Sequence, residues 1–246
     1  MDLQLRDRVY LVTGGTRGLG LAVARQLTAE GARVVVSGRG FSVDEVASGL
    51  GEGTATGVMA DNTDPGSADE LVRTAIRHFG RLDGALISVG GPPAGAAMDM
   101  DDQVWRDAFE TAFLGSLRIG RTTAKACGRG GAIAFVLSSS VREPIPGLAV
   151  SNGLRPGLGM LAKTLADELG PSGIRVNGLM PAYINTERQK EIAAVYGDKP
   201  PTPSNSLQRM GDPDEFARAA TFLLSPAASY LTGLMLPVDG GYLRTL

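Results

Sequence analysis

The stretch best equipped for chemistry is Thr13-Gly14-Gly15-Thr16-Arg17-Gly18-Leu19-Gly20, which follows the apolar run Val9-Tyr10-Leu11-Val12 directly. Glycines there let the backbone turn tightly and bring a helix N-terminus, with unpaired N–H groups and the positive end of its dipole, close to a phosphate. The position between a strand and a helix separates this reading from glycines that only ease packing. A second candidate is Ser138-Ser139-Ser140, after the run Ala132 to Leu137. Ser138 can donate to a substrate oxygen, or all three hydroxyls can bond locally in a turn before Arg142-Glu143-Pro144-Ile145-Pro146. Other reactive types are sparse. His78, the sole histidine, reads as a solvated helix position, and Cys127, the sole cysteine, as a small buried residue. Asp99, Asp101 and Asp102 precede a helix and suit its positive end. With one His and one Cys there is no zinc cluster, and no metal site is expected.

These groups need a scaffold, and the chain supplies β-branched runs alternating with segments of helical period. Val9 to Thr13, a helix over Gly18 to Glu30, and Arg33 to Ser37 form a βαβ unit. There follow a strand at Thr54 to Ala60, a helix over Ser67 to Phe79, a strand at Asp83 to Val89 and a long helix from Asp101 to Ala126. A fifth strand at Ala132 to Leu137, a helix ending near Leu169, a strand at Ile174 to Met180, a helix at Pro213 to Leu224 and a last strand at Leu234 to Val238 complete the series. Strands apolar throughout and joined by crossover helices are buried on both faces, so the expected architecture is α/β, a single doubly wound domain over residues 1–246 with a mainly parallel seven-stranded sheet. Residues 186–210 stand outside the rhythm, with charged Glu187, Arg188, Lys190 and Glu191 followed by Pro200, Pro201 and Pro203; a short helix and loop there predict a substrate lid.

Composition excludes other classes. Of the 246 residues 43% are hydrophobic, enough for a large core, and 24 basic against 26 acidic side chains leave a net charge of −2 without runs of one sign. Nucleic acid and membrane surfaces are therefore not expected partners. The opening Met-Asp-Leu-Gln-Leu-Arg-Asp-Arg has no apolar signal core and no internal disulfide is possible, so the expected location is cytoplasmic.

Taken in order, several motifs resemble the short-chain dehydrogenase/reductase family across nearly the whole chain. They are the GxxxGxG turn, Asp61 after the third strand, Ile174-Arg175-Val176-Asn177, Pro181-Ala182-Tyr183-Ile184-Asn185-Thr186, and the ending Leu231-Thr232-Gly233 to Val238-Asp239-Gly240-Gly241. The resemblance implies a Rossmann-like fold binding a nicotinamide dinucleotide, with Gly14, Thr16, Arg17, Gly18, Leu19 and Gly20 at its phosphates and Asp61 and Asn62 at its adenine. Ser88, Val89 and Gly90 would border the adenosine ribose, and Pro181, Ile184 and Thr186 the nicotinamide half. Asp61 can equally cap a turn and Thr186 the following helix. The second strand ends in Ser37-Gly38-Arg39 with no acid before Asp44, so Arg39 and Arg17 face a 2′-phosphate and the cofactor expected is NADP(H) rather than NAD. A homotetramer or dimer is also implied.

At the catalytic end the likeness breaks. The family reduces carbonyls with a Tyr acid, a Lys four residues on, a Ser on the preceding strand and an Asn in the long helix. Counting back from Glu168-Leu169 puts Ser151 at the Tyr position and Arg155 at the Lys position, while Ala112 stands where the Asn belongs. A serine hydroxyl is too weak an acid to replace the phenol, and Arg, with a pKa above ~12, cannot relay a proton but can stabilise negative charge. Only Ser138 survives. Pro156 biases Arg155 away from helical angles, placing it in the first turn of its helix or before it. Tyr183 is a substitute acid or a packing residue.

Three functions fit. The first is an NADP-dependent oxidoreductase with a non-standard active site, in which Ser138, Ser151 and Arg155 position a small ketone, iminium or quinone. The second is a non-redox cyclase, dehydratase or isomerase on the same fold, recognised by a product of unchanged oxidation state. The third is a non-catalytic nucleotide-binding subunit.

Overall fold

Each central strand sends alternate side chains into two separate cores, and this sets the layering. In β1 (Val9–Val12) Tyr10 and Val12 pack on one face and Val9 and Leu11 on the other; β2 (Arg33–Gly38) divides Val34 and Val36 from Val35 in the same way. β5 (Ala132–Val136) sets its alanines and Val136 against Ile133 and Phe135. Helices α1 (Gly18–Ala29) and α8 (Pro213–Leu224) cover the first face, and α3 (Ser67–Phe79), α5 (Gly115–Ala126) and α6 (Ala149–Leu169) the second. The computed structural model describes residues 1–40, 42–195 and 204–245, with only the backbone of 192–195.

With β3 (Ala55–Met59), β4 (Gly84–Ile87), β6 (Arg175–Pro181) and β7 (Met235–Val238), the strands form one parallel seven-stranded sheet in the order β3-β2-β1-β4-β5-β6-β7. The fold is a single Rossmann-like α/β domain, as the alternation predicts. The order reverses between β1 and β4, so a crevice opens beyond their carboxyl ends. Thr13 and Ser88 bridge these strands there: Thr13 Oγ1 donates to the Ser88 carbonyl at 2.8 Å and accepts from the Ser88 N–H at 2.9 Å.

Buried polar groups fix the opposite edge. Arg175 ends the last helix: its Nη1 donates to the Leu223 carbonyl at 2.8 Å and its Nη2 to that of Ser225 at 2.9 Å. A guanidinium at a helix C-terminus satisfies orphan carbonyls and opposes the negative dipole end. Asn177 ties β6 to the Leu231 carbonyl and the Leu234 N–H.

Two local expectations change and one short helix is added. The long helix is interrupted: α4 (Asp102–Ala108) enters a π-type turn at Phe109–Leu114 before α5, with Phe109 and Phe113 stacked at 5.0 Å and Ala112 buried in it. Such a turn shifts the register of the residues facing the crevice. A short α2 (Val43–Gly49) occupies a segment without a clear helical signal. Most consequential, α6 runs through Pro156, so Arg155 lies in its second turn and not at its entrance. The Asn152 side chain accepts from Ile145 N–H and donates to its carbonyl at 2.9 and 2.8 Å, holding the loop before α6. Val150, Ser151, Arg155, Leu158 and Ala162 bury one continuous stripe, whose burial offsets the backbone bond lost at proline. No helix among the described residues is long and apolar enough to cross a membrane.

Candidate active site and nucleotide cleft

A cleft of about 830 Å³ follows the switch point along the carboxyl ends of the strands. Its floor is the glycine turn. Gly14 has φ +58°, and a Cβ there would stand 2.9 Å from the Ser88 carbonyl oxygen; a Cβ on Gly20 would lie 2.2 Å from that of Gly14. No side chain caps α1 and no acid sits in its first turn, so its N–H end faces the cleft with positive potential. Thr16, Gly18 and Leu19 line the same wall. A glycine-built cradle at an uncapped helix N-terminus fits a dinucleotide pyrophosphate.

Beyond β2, Arg39 is exposed at the cleft edge beside Asp61. Backbone and side-chain hydrogen bonds from Thr63, both at 2.9 Å to Oδ1, hold the Asp61 carboxyl below its ordinary range, helped by the Arg39 charge. Asp61 thus caps its own turn while lining the cleft with Asn62. Arg17 departs from expectation: its guanidinium lies 3.9 Å from Glu191 on α7 (Glu187–Val195), so it reaches toward that helix rather than standing free beside Arg39. Both partners are largely exposed, and a pair of this kind is weak and easily exchanged for another anion.

Ser88, Val89 and Gly90 border the middle of the cleft; Pro181, Ile184 and Thr186 line its far wall. Ile184 is buried and bridged to Gly211, and Thr186 Oγ1 accepts the Gln189 N–H at 3.4 Å, the helix-cap arrangement.

The three expected catalytic residues lie together at this end, from β5 and the inner face of α6. Ser138 Oγ accepts the Ser140 N–H at 3.1 Å, which leaves its own proton to donate. Ser151 is buried and its hydroxyl pairs with that of Ser140 at 3.1 Å. Arg155, 5% exposed, donates Nη1 to the Val136 carbonyl at 2.6 Å and has no carboxylate partner among the described residues. Burial, with the like charge of Arg188, pushes its pKa down to about 10, so it stays cationic at neutral pH. An unneutralised buried cation raises the local affinity for negative charge.

Tyr183 has φ +52°, a strained conformation for an aromatic residue, and its hydroxyl shares a 3.3 Å hydrogen bond with Ser204. Its ring meets Tyr242 edge-on at 5.3 Å. Both tyrosines line a side pocket of about 320 Å³ opening from the cleft. His78 is exposed on α3, outside the cleft lining. Cys127 is half-buried rather than fully buried, and that burial pushes its thiol up to about 12. Asp101 caps α4 through Val104 N–H and Asp102 pairs with Arg106, and among the described residues no cluster suits a metal.

Sequence reasoning singled out neither Tyr242 nor, within the predicted lid, Arg188 and Gln189 as site residues. Arg188 crosses from α7 to the Pro92 carbonyl at 2.5 Å, and the i,i+3 spacing of Arg188 and Glu191 was the available hint of one cleft-facing edge. Part of the predicted lid, residues 196–203, lies outside the described residues.

A family model described as enoyl-(acyl carrier protein) reductase matches residues 14–243. L-rhamnose 1-dehydrogenase (NAD(P)(+)) of Azotobacter vinelandii is 35% identical over 96% of this chain and 97% of its own length. Human dehydrogenase/reductase SDR family member 4 is 34% identical over 96% and 88%. L-sorbose reductase from Gluconobacter frateurii, solved with NADPH and L-sorbose, superposes with a TM-score of 0.91 at 28% identity, covering 100% of both chains. With motif order, sheet topology and these likenesses in agreement, the chain belongs to the short-chain dehydrogenase/reductase family.

Proposed function

We propose that this protein is an NADP(H)-dependent oxidoreductase that acts on a small ketone, iminium or quinone without the family's Tyr-Lys-Asn proton-transfer set. The observation that carries the proposal is that one cleft joins the uncapped glycine cradle to the buried cation Arg155 and the free hydroxyl of Ser138. Gly14, Thr16, Gly18, Leu19 and Gly20 would hold the pyrophosphate, Arg39 with Arg17 the 2′-phosphate, Asp61, Asn62, Ser88, Val89 and Gly90 the adenosine, and Pro181, Ile184 and Thr186 the nicotinamide end. When bound, the cofactor supplies or accepts a hydride.

The chain's own residues then bind and polarise. Ser138 donates its proton in a hydrogen bond to the substrate oxygen, its lone pairs already turned to the Ser140 N–H. Arg155 holds a positive potential where that oxygen gains negative charge, and its own burial weakens the screening of that charge by water. Ser151, engaged with Ser140, positions this wall. None of these groups gives up a proton near neutral pH. That favours acceptors giving a stabilised anion, such as a quinone; an iminium needs no proton at the reacting atom either, but its positive charge is opposed by Arg155. The relatives' names are compatible with either cofactor or with NADPH.

The test is turnover of NADPH with a panel of cyclic imines, quinones and ketones, with Arg155→Ala and Ser138→Ala beside the unaltered protein. Loss in both variants supports these roles. Unchanged turnover in the double variant, or a product of unchanged oxidation state, overturns them.

A further inference from the structure

The side pocket differs in chemistry from the cleft it opens from. Ile145, Pro146, Leu148, Pro181 and Ala182 make most of its wall, and the edge-on pair Tyr183 and Tyr242 borders it. Among the described residues its polar groups are Ser138, which faces both spaces, the buried Ser139, Gln189 on α7 and the two tyrosine hydroxyls, that of Tyr183 already shared with Ser204. The wall is preformed: Asn152 clamps Ile145 through both backbone groups, and Arg142 Nη1 reaches the Thr245 carbonyl at 3.4 Å, tying the loop to the C-terminal segment that carries Tyr242.

A polyol seated against this mainly apolar wall would give up more water contacts than the few side-chain groups there replace, leaving hydroxyls unpaired. A ring with one oxygen meets the opposite balance: its body is covered by apolar and aromatic surface and its oxygen lies at Ser138. We infer that the substrate is a compact, apolar cyclic carbonyl compound, a quinone or a ketone whose reduced oxygen takes its proton from water in the cleft, seated between Ile145, Leu148 and the tyrosine pair, and not a free sugar. This deepens the oxidoreductase reading and rests on it for the direction in which the oxygen points. It separates this chain from relatives whose names are those of rhamnose and sorbose enzymes.

The test is calorimetric binding of 1-indanone, with L-rhamnose and L-sorbose as comparators, to the full-length protein alone and in the presence of NADPH. The expected result is saturable 1-indanone binding, at least tenfold tighter than either sugar, and weakened at least tenfold in Ile145→Asp. Ile145 is only half-buried, so that variant should fold, and retained thermal unfolding and NADPH binding check that it has. Tyr242→Ala is the second variant and should weaken 1-indanone without affecting NADPH. Sugars binding as well as the ketone, or no ketone binding, overturns the inference. Failure of NADPH to bind while 1-indanone still binds to the protein alone would sink the redox reading and leave the pocket assignment standing.

Discussion

Replacing Arg155 with Met should make the protein more stable while disabling its chemistry. Burial takes the guanidinium from an ordinary value above 12 down to about 10. At about 1.36 kcal/mol per pH unit, carrying the charge into the folded state costs about 3 kcal/mol. The folded value lies below the unfolded one, so the penalty is complete at neutral pH, where both states are protonated, and eases only as pH rises through about 10. Met keeps much of the side-chain volume but abandons the 2.6 Å bond to the Val136 carbonyl. An unpaired buried carbonyl costs about 1–3 kcal/mol. The net expectation is a gain of about 1 kcal/mol, or roughly 2–4 °C in Tm for a chain of this length. Urea unfolding at pH 7 and calorimetry read it, and the advantage over the unaltered protein should shrink as the pH passes about 10. If Arg155→Met instead lost more than about 1 kcal/mol, the guanidinium would be a structural strut, and its retention would say nothing of catalysis.

Other consequences follow from the same contacts. Gly20→Ala drives a Cβ to 2.2 Å from the Gly14 carbonyl oxygen, and overpacking of backbone should cost about 1–3 kcal/mol by denaturant titration and weaken nucleotide binding about tenfold or more. Arg175→Met is the contrast to Arg155: its guanidinium serves the Leu223 and Ser225 carbonyls at the end of α8, and the variant should lose about 3 kcal/mol without a specific effect on binding. Glu215, bonded to both Nη atoms of Arg209 at 2.7 and 2.6 Å, is held down to about 2. That depressed value makes the pair's contribution complete above the ordinary Glu range and lost as pH falls toward about 2, which a carboxyl NMR titration checks.

Much of this architecture was legible because its causes are local. The glycine turn, Arg39 and Ser138 sit at strand ends, where a strand boundary fixes which way a residue faces. Ser151 and Arg155 could be set in register because they are one helical turn apart, i and i+4, on a helix whose end is marked by Glu168-Leu169. Pro156 misled because its local bias against helix was outweighed by the buried stripe of α6, which no neighbouring residue reveals. The π-type turn at Phe109–Leu114 was invisible because it keeps helical composition and changes only the hydrogen-bond step. Tyr242 reaches the site through chain closure, of which its spacing carries no trace, and Arg188 through a contact from α7 that its i,i+3 spacing to Glu191 only hints at.

The central claim is that the cleft holds a phosphorylated nicotinamide dinucleotide. Its most direct test is a fluorescence titration of the protein and its Arg39→Ala variant with NADPH and NADH. Trp105, the chain's single tryptophan, packs against the helix of Ser151 and Arg155, where a Cβ on Gly153 would lie 2.7 Å from its ring, and is a natural energy donor. The account predicts saturable transfer to NADPH, weaker binding of NADH, and a preference that collapses in Arg39→Ala. Equal affinity for the two nucleotides would contradict the 2′-phosphate assignment, and binding of neither would contradict the redox reading itself.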